Sequence, residues 1–115
     1  DEGTLVFQFV WSATGQGGGN DSVVWTIAAQ AYASDDPLTG AFPAATAATL
    51  QEHSATNDDV MITAETSAVT VGGSPAAEEF VAFEVSRDVS EDDLDVDARL
   101  HGIKIHYTID AGTDD

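Results

Sequence analysis

Apolar residues recur at every second position through several stretches of this chain. In GTLVFQFVWSA, Leu5, Phe7, Phe9 and Trp11 fall on one face, and Val6, Gln8, Val10 and Ser12 on the other. That is the period of an extended strand. SVVWTIAAQAYA sets Val23, Trp25, Ile27, Ala29 and Ala31 against Val24, Thr26, Ala28, Gln30 and Tyr32. With apolar residues on both faces it reads as a central strand, covered by an opposite sheet on one side and a neighbouring chain on the other. FVAFEVSR turns Val81, Phe83 and Val85 inward, opposite Ala82, Glu84 and Ser86. LHGIKIHYTI gathers Ile103, Ile105, Tyr107 and Ile109 on one side, with Lys104, His106 and Thr108 on the other. TLQEHSA, VMITAE and SAVTV are shorter candidates, the second with Val60, Ile62 and Ala64 on one face.

Breakers separate these runs. TGQGGGND interrupts with four glycines, SDDPLTGAFPAATAA contains Pro37, Gly40 and Pro43, and GGSPAAEE is rich in turn formers. Proline and glycine at these positions deny the links a long regular element. No helical period of useful length is present. The pattern predicts an all-β fold of seven or eight strands in a single domain over residues 1–115. Its expected form is an antiparallel two-sheet β-sandwich, jelly-roll-like in topology.

Composition supports a packed core: 43% of the residues are hydrophobic. Charge then narrows the partners. Twenty-one acids face three bases, Arg87, Arg99 and Lys104, for a formal net charge of -18. Such a chain repels phosphate backbones and anionic membrane surfaces, so neither nucleic acid nor membrane is an expected partner. So few bases resemble the surfaces of proteins from salt-rich habitats, where salt screens self-repulsion. There is no cysteine, which excludes disulfides and thiolate metal sites.

The acids crowd into DVSEDDLDVDARLHG, residues 88–102. Asp93, Asp95 and Asp97 have the D-x-D-x-D spacing that opens a Ca²⁺-binding EF-hand loop. The remainder of that pattern fails, with Ala98 where glycine and Lys104 where glutamate belong, and the run feeds a strand. A structural role suits the spacing better. Arg87 and Arg99 bracket the acids, and both are expected to anchor the loop by pairing with its carboxylates.

Other chemistry is sparse. His101 and His106 lie five apart, on opposite faces of a regular strand, and His53 stands beside Glu52. A zinc site would need all of these with carboxylates. Glu78–Glu79 and Asp35–Asp36 are adjacent acids in loops, and no nucleophile elbow or phosphate-binding loop is present. The chain is therefore read as a non-enzyme with no cofactor. Asn20–Asp21–Ser22 matches a glycosylation acceptor. Most aromatics fall on inward faces; Phe42, in an irregular segment, is the exception. Phe42 and Leu38 are expected to anchor in an adjacent subunit.

Three stretches carry a resemblance: FQFVWSA, DSVVWTIAAQAYA and FEVSRDVSEDDLDVDARLHGIKIHYT. Their order resembles small all-β virion proteins of tailed bacteriophages and archaeal viruses. The shared elements are Trp11 closing the first strand, Val23–Val24–Trp25 opening the next, and Arg87–Asp88 and Asp97–Ala98–Arg99–Leu100 leading through Gly102–Ile103 to Tyr107. This resemblance covers about half the chain. It implies a non-enzymatic structural protein, a capsid decoration or cement protein that stabilises the head. Its implied partners are itself, as a homo-oligomer and most simply a trimer, and the major capsid protein or other virion proteins. Its implied place is the virion, at the capsid surface or tail, with assembly in the host cytoplasm. A carbohydrate-binding or tail-fibre β-sandwich module is the alternative.

Overall fold

Two long antiparallel ladders realise the two-residue rhythm. The computed structural model describes residues 5–14, 21–49, 51–52, 56, 58–94 and 96–108. Among them the strands are β1 (Leu5–Ala13), β2 (Ser22–Val23), β3 (Trp25–Tyr32), β4 (Thr46–Ala47), β5 (Gln51–Glu52), β6 (Met61–Ile62), β7 (Val71–Gly72), β8 (Phe80–Arg87) and β9 (Ala98–Tyr107). The fold is all-β with several sheets. Nine strands replace the seven or eight expected, because five of them are only two residues long.

One sheet runs β6-β1-β9 and another is built on β3, with β8 along one side and β4 and β7 along the other. β1 pairs with β9 from Leu5 opposite Tyr107 to Ala13 opposite Ala98. β3 pairs with β8 from Trp25 opposite Arg87 to Tyr32 opposite Phe80. The β3–β7 pairing is parallel, so the sheet is not wholly antiparallel as expected. β2 and β5 make a separate short ribbon. Gln51 ties it to the first sheet: its Oε1 accepts from Trp11 Nε1 at 2.7 Å and its Nε2 donates to the Ile62 carbonyl at 2.9 Å.

The sheets meet across an aromatic layer. Phe7, Phe9 and Trp11 are fully buried on β1. Phe9 stacks on Trp25 at 6.2 Å, Trp11 tilts against Trp25 at 6.4 Å, and Phe7 meets Phe83 edge-on at 5.5 Å. Pairs of this kind add about 0.5–1.5 kcal/mol beyond the area they bury. β3 is covered on both faces, as its pattern required, and the second face is already largely covered from within the chain. Ala28 and Tyr32 are buried within the single chain. The irregular 33–45 segment contributes: the Pro43 ring lies 3.1 Å from where a Cβ on Gly72 would sit, and the Gln30 side chain fills the rest of that space. A side chain at this position would have to displace the Gln30 amide and press on the Pro43 ring.

The free side of β1 is closed by a segment that is mostly not strand. Thr63, Thr66 and Val69 donate their backbone N–H groups to the carbonyls of Phe9, Phe7 and Leu5 at 2.9–3.0 Å. The chain thus advances three residues for every two on β1. Threonine hydroxyls fill the gap: Thr63 Oγ1 accepts from Phe9 N at 3.0 Å, and Thr66 Oγ1 from Phe7 N at 3.2 Å. Each hydroxyl donates onward to the next residue's carbonyl, at Ala64 and Ser67. A regular strand over VMITAE is therefore replaced by β6 and this threonine ladder. The face formed by Val60, Ile62 and Ala64 is exposed, while Thr63, Thr66 and Val69 are buried.

Candidate interaction surface

The acidic run is an ordered loop folded around an arginine. Arg87, the last residue of β8, sends Nε to Asp92 Oδ2 at 2.8 Å and Nη2 to Asp92 Oδ1 at 3.2 Å. Its remaining donors reach the carbonyls of Val96, at 3.2 Å, and Leu94. Leu94 itself is buried in the core, so an apolar plug fixes the loop from within. Asp93 faces β2, where its Oδ1 accepts from Ser22 N at 2.7 Å and Ser22 Oγ at 3.0 Å. Those bonds favour the carboxylate and hold it below its ordinary pKa.

The Ca²⁺ candidates are not gathered into a site. Asp93 is engaged with Ser22, Asp97 is exposed with its carbonyl accepting from Thr14 N at 3.1 Å, and Asp95 lies outside the described residues. Among the described residues no group of three His, Asp or Glu side chains is placed to hold a metal ion. Arg99 corrects one expectation. It does not anchor the acidic loop; its Nη1 pairs with Asp58 Oδ1 at 3.4 Å, both side chains being more than half exposed. The reason is topological: Arg99 stands opposite Ser12 in the β1 sheet, whereas the loop folds back onto Ser22 and Arg87.

A register shift on β9 also changes the histidines. The shift falls between Val10 and Trp11, whose partners are Gly102 and Leu100, so His101 is the extra residue. His101 shares a 2.8 Å hydrogen bond with Ser12 Oγ, and His106 a 2.7 Å bond with Gln8 Oε1. The bulge thus puts both histidines on the solvent face with Arg99 and Lys104. His53 lies outside the described residues, as do Asn20 of the glycosylation acceptor and Ile109.

Leu38 is 72% exposed and Phe42 half-buried. Leu38 lines an open cleft of about 450 Å³ with Tyr32, Asp36, Glu78, Glu79 and Phe80. The Tyr32 and Phe80 rings stack there at 6.4 Å. The cleft brings Tyr32 and Asp36 against Glu78, Glu79 and Phe80 from a distant stretch of the chain.

A further incompletely covered surface is one the periodicity had assigned to the core. Among the described residues, β8 pairs only with β3 and β9 only with β1. Each thus has one long edge that no described strand pairs with. Their inward side chains are incompletely covered: Phe83 and Leu100 are 37% exposed, Ile105 44% and Tyr107 67%. Phe83 and Ile105 still face inward, on the side of Ala29 and Phe7, but among the described residues no strand pairs beyond them. Alternation marks which face a residue takes and is silent on whether its strand is the last in the sheet.

Compared with protein-family models, curated proteins and solved structures, the chain shows no match.

Proposed function

We propose that this protein is a non-enzymatic structural module that works by self-assembly, a jelly-roll-like sandwich decorating and stabilising a virus capsid. The observation that carries the assembly reading is the open edge of β8 and β9, two strands of 8 and 10 residues with apolar side chains reaching solvent. An exposed edge of that length invites pairing with another chain, and natural proteins leave one open where a partner covers it. The net charge of -18 keeps copies soluble until they dock. The capsid role rests on the three-segment resemblance to virion proteins, and the major capsid protein is the partner it proposes.

Mass by light scattering tests the assembly reading, at low and at high KCl. Oligomers that gain mass with salt are the expected result; a monomer throughout rejects it. Co-sedimentation with capsids lacking decoration tests the capsid role. The cleft beside Phe80 favours a second reading, a carbohydrate-binding module, because an exposed ring backed by Tyr32 and flanked by carboxylates suits a sugar's apolar face and hydroxyls. Saturable glycan binding that is lost in Phe80→Ala would select it.

A further inference from the structure

We propose that the β8–β9 edge is closed by the same edge of a second copy, across a two-fold axis running along the strands. The inference rests on the self-assembly reading and deepens it by naming the interface and its geometry.

Both open strands lie on one side of the molecule. Val69 bonds to Leu5 on the side of β1 away from β9, and two residues later Val71 pairs with Ala29 on the side of β3 away from β8. The chain therefore crosses between sheets along one edge, leaving β8 and β9 together at the other. They are also level. Phe7 stands opposite Ile105 in its own sheet and meets the Phe83 ring at 5.5 Å across the interior. Ile105 and Phe83 are thus at one height, and so are their sequence neighbours Lys104 and Glu84. Those two point to the outer faces, opposite Gln8 and Ala28. β8 runs into the acidic loop and β9 runs out of it, so the two strands are antiparallel.

A two-fold axis along the strands preserves height and exchanges the sheets. β9 then lies antiparallel beside β8 of the second copy, and the reverse pairing follows by symmetry. Inner faces continue into inner faces, so Ile105 packs against Phe83 of the second copy and the two cores join. On the outer face Lys104 meets Glu84 of the second copy.

Charge selects this arrangement over β9 against β9. Within Ala98–Tyr107 the chain carries two of its three bases, both remaining described histidines and no acid. Glu84 is the one acid in β8, and Glu78 and Glu79 precede the strand. Exchange pairs unlike charges, whereas a like-with-like edge centred at this height sets Lys104 against Lys104 and Glu84 against Glu84, and at any register it sets the basic β9 against itself. Among the described residues neither Lys104 nor Glu84 has an ion pair within its own chain. The contact is also closed: it consumes both long open edges of each copy.

The test is the oligomeric state of paired variants at one ionic strength. Light scattering is expected to give twice the 12.0 kDa chain mass. Glu84→Lys and Lys104→Glu are each expected to weaken the dimer about tenfold, since symmetry doubles the loss, and the double swap to restore it. Ile105→Asp is expected to give a monomer with unchanged circular dichroism. The chain has no cysteine, so a Glu84→Cys/Lys104→Cys variant can be oxidised cleanly. Because the two positions lie on opposite outer faces, they cannot bridge within one chain. Covalent dimers from that variant, and none from Lys104→Cys alone, support the geometry. Efficient crosslinking by Lys104→Cys alone, a trimer mass, or a dimer untouched by both charge reversals overturns it while self-assembly stands. A monomer at every concentration and salt overturns both.

Discussion

Arg87 and Asp92 form a forked ion pair, Nε to Oδ2 at 2.8 Å and Nη2 to Oδ1 at 3.2 Å, in which the carboxylate side chain is only 2% exposed. The same guanidinium holds the carbonyls of Leu94 and Val96. One side chain therefore shapes the 88–97 loop and seats Leu94 in the core.

Removing that guanidinium leaves a buried carboxylate and two carbonyls without donors. Arg87→Gln is expected to lower stability by about 2–4 kcal/mol in urea unfolding. Arg99→Gln, losing an exposed 3.4 Å pair with Asp58, is expected to change it by no more than about 0.5 kcal/mol. Equal effects of the two would mean that the loop is not organised by Arg87.

The threonine ladder makes a second, sharper forecast. Thr63→Val keeps the shape but leaves the buried Phe9 N–H without its acceptor. A loss of about 1–3 kcal/mol is expected, with Thr63→Ser recovering most of it. Thr66→Val should behave likewise through Phe7 N. Hydrogen exchange at Phe7 and Phe9 provides a local readout: both amides should exchange faster in the corresponding valine variants.

Asp93 gives the fold a dependence on pH. The Ser22 amide and hydroxyl hold its carboxyl below the ordinary value, so its folded pKa lies under its unfolded one. The stabilisation is present above the unfolded value, about 3.9, and is lost as pH falls through the folded value. Asp93→Asn should therefore be less stable than the parent at about pH 7, and the gap should close as pH falls through the folded value. A gap that is constant across this range would show that the charge contributes nothing.

Salt should raise the melting temperature. Repulsion among 21 acids reaches about 10 Å at 0.1 M salt and about 3 Å at 1 M. The two ion pairs among the described residues offer little attraction for salt to screen. Between 0.05 and 2 M KCl a rise of at least about 5 °C is expected by calorimetry, and a flat profile would count against a salt-adapted surface.

Much of this architecture was legible in the alternation alone. Phe7, Phe9, Trp11, Trp25 and Ile27 are buried as their period required, and Arg87 anchors the acidic loop it borders. Those features are local: side-chain direction follows from the pleat, and Arg87 reaches partners within ten residues. The threonine ladder was not legible, because its hydroxyls stand in for carbonyls of a chain in a different period, a substitution that only the meeting of residues some 55 apart creates. Nor was the destination of Arg99, which the β1–β9 register carries away from the loop.

By itself, then, the order of residues determined the all-β character, the buried aromatic layer and the strongly acidic exterior, since each depends on composition and a two-residue period. Which strands end the sheets, and so which apolar side chains are left facing solvent, was decided only by tertiary structure. Edge or centre depends on what pairs alongside, and Ile105 and Phe83 alternate as any core residue does; nothing in their own segments records that, among the described residues, their strands have a partner on one side only.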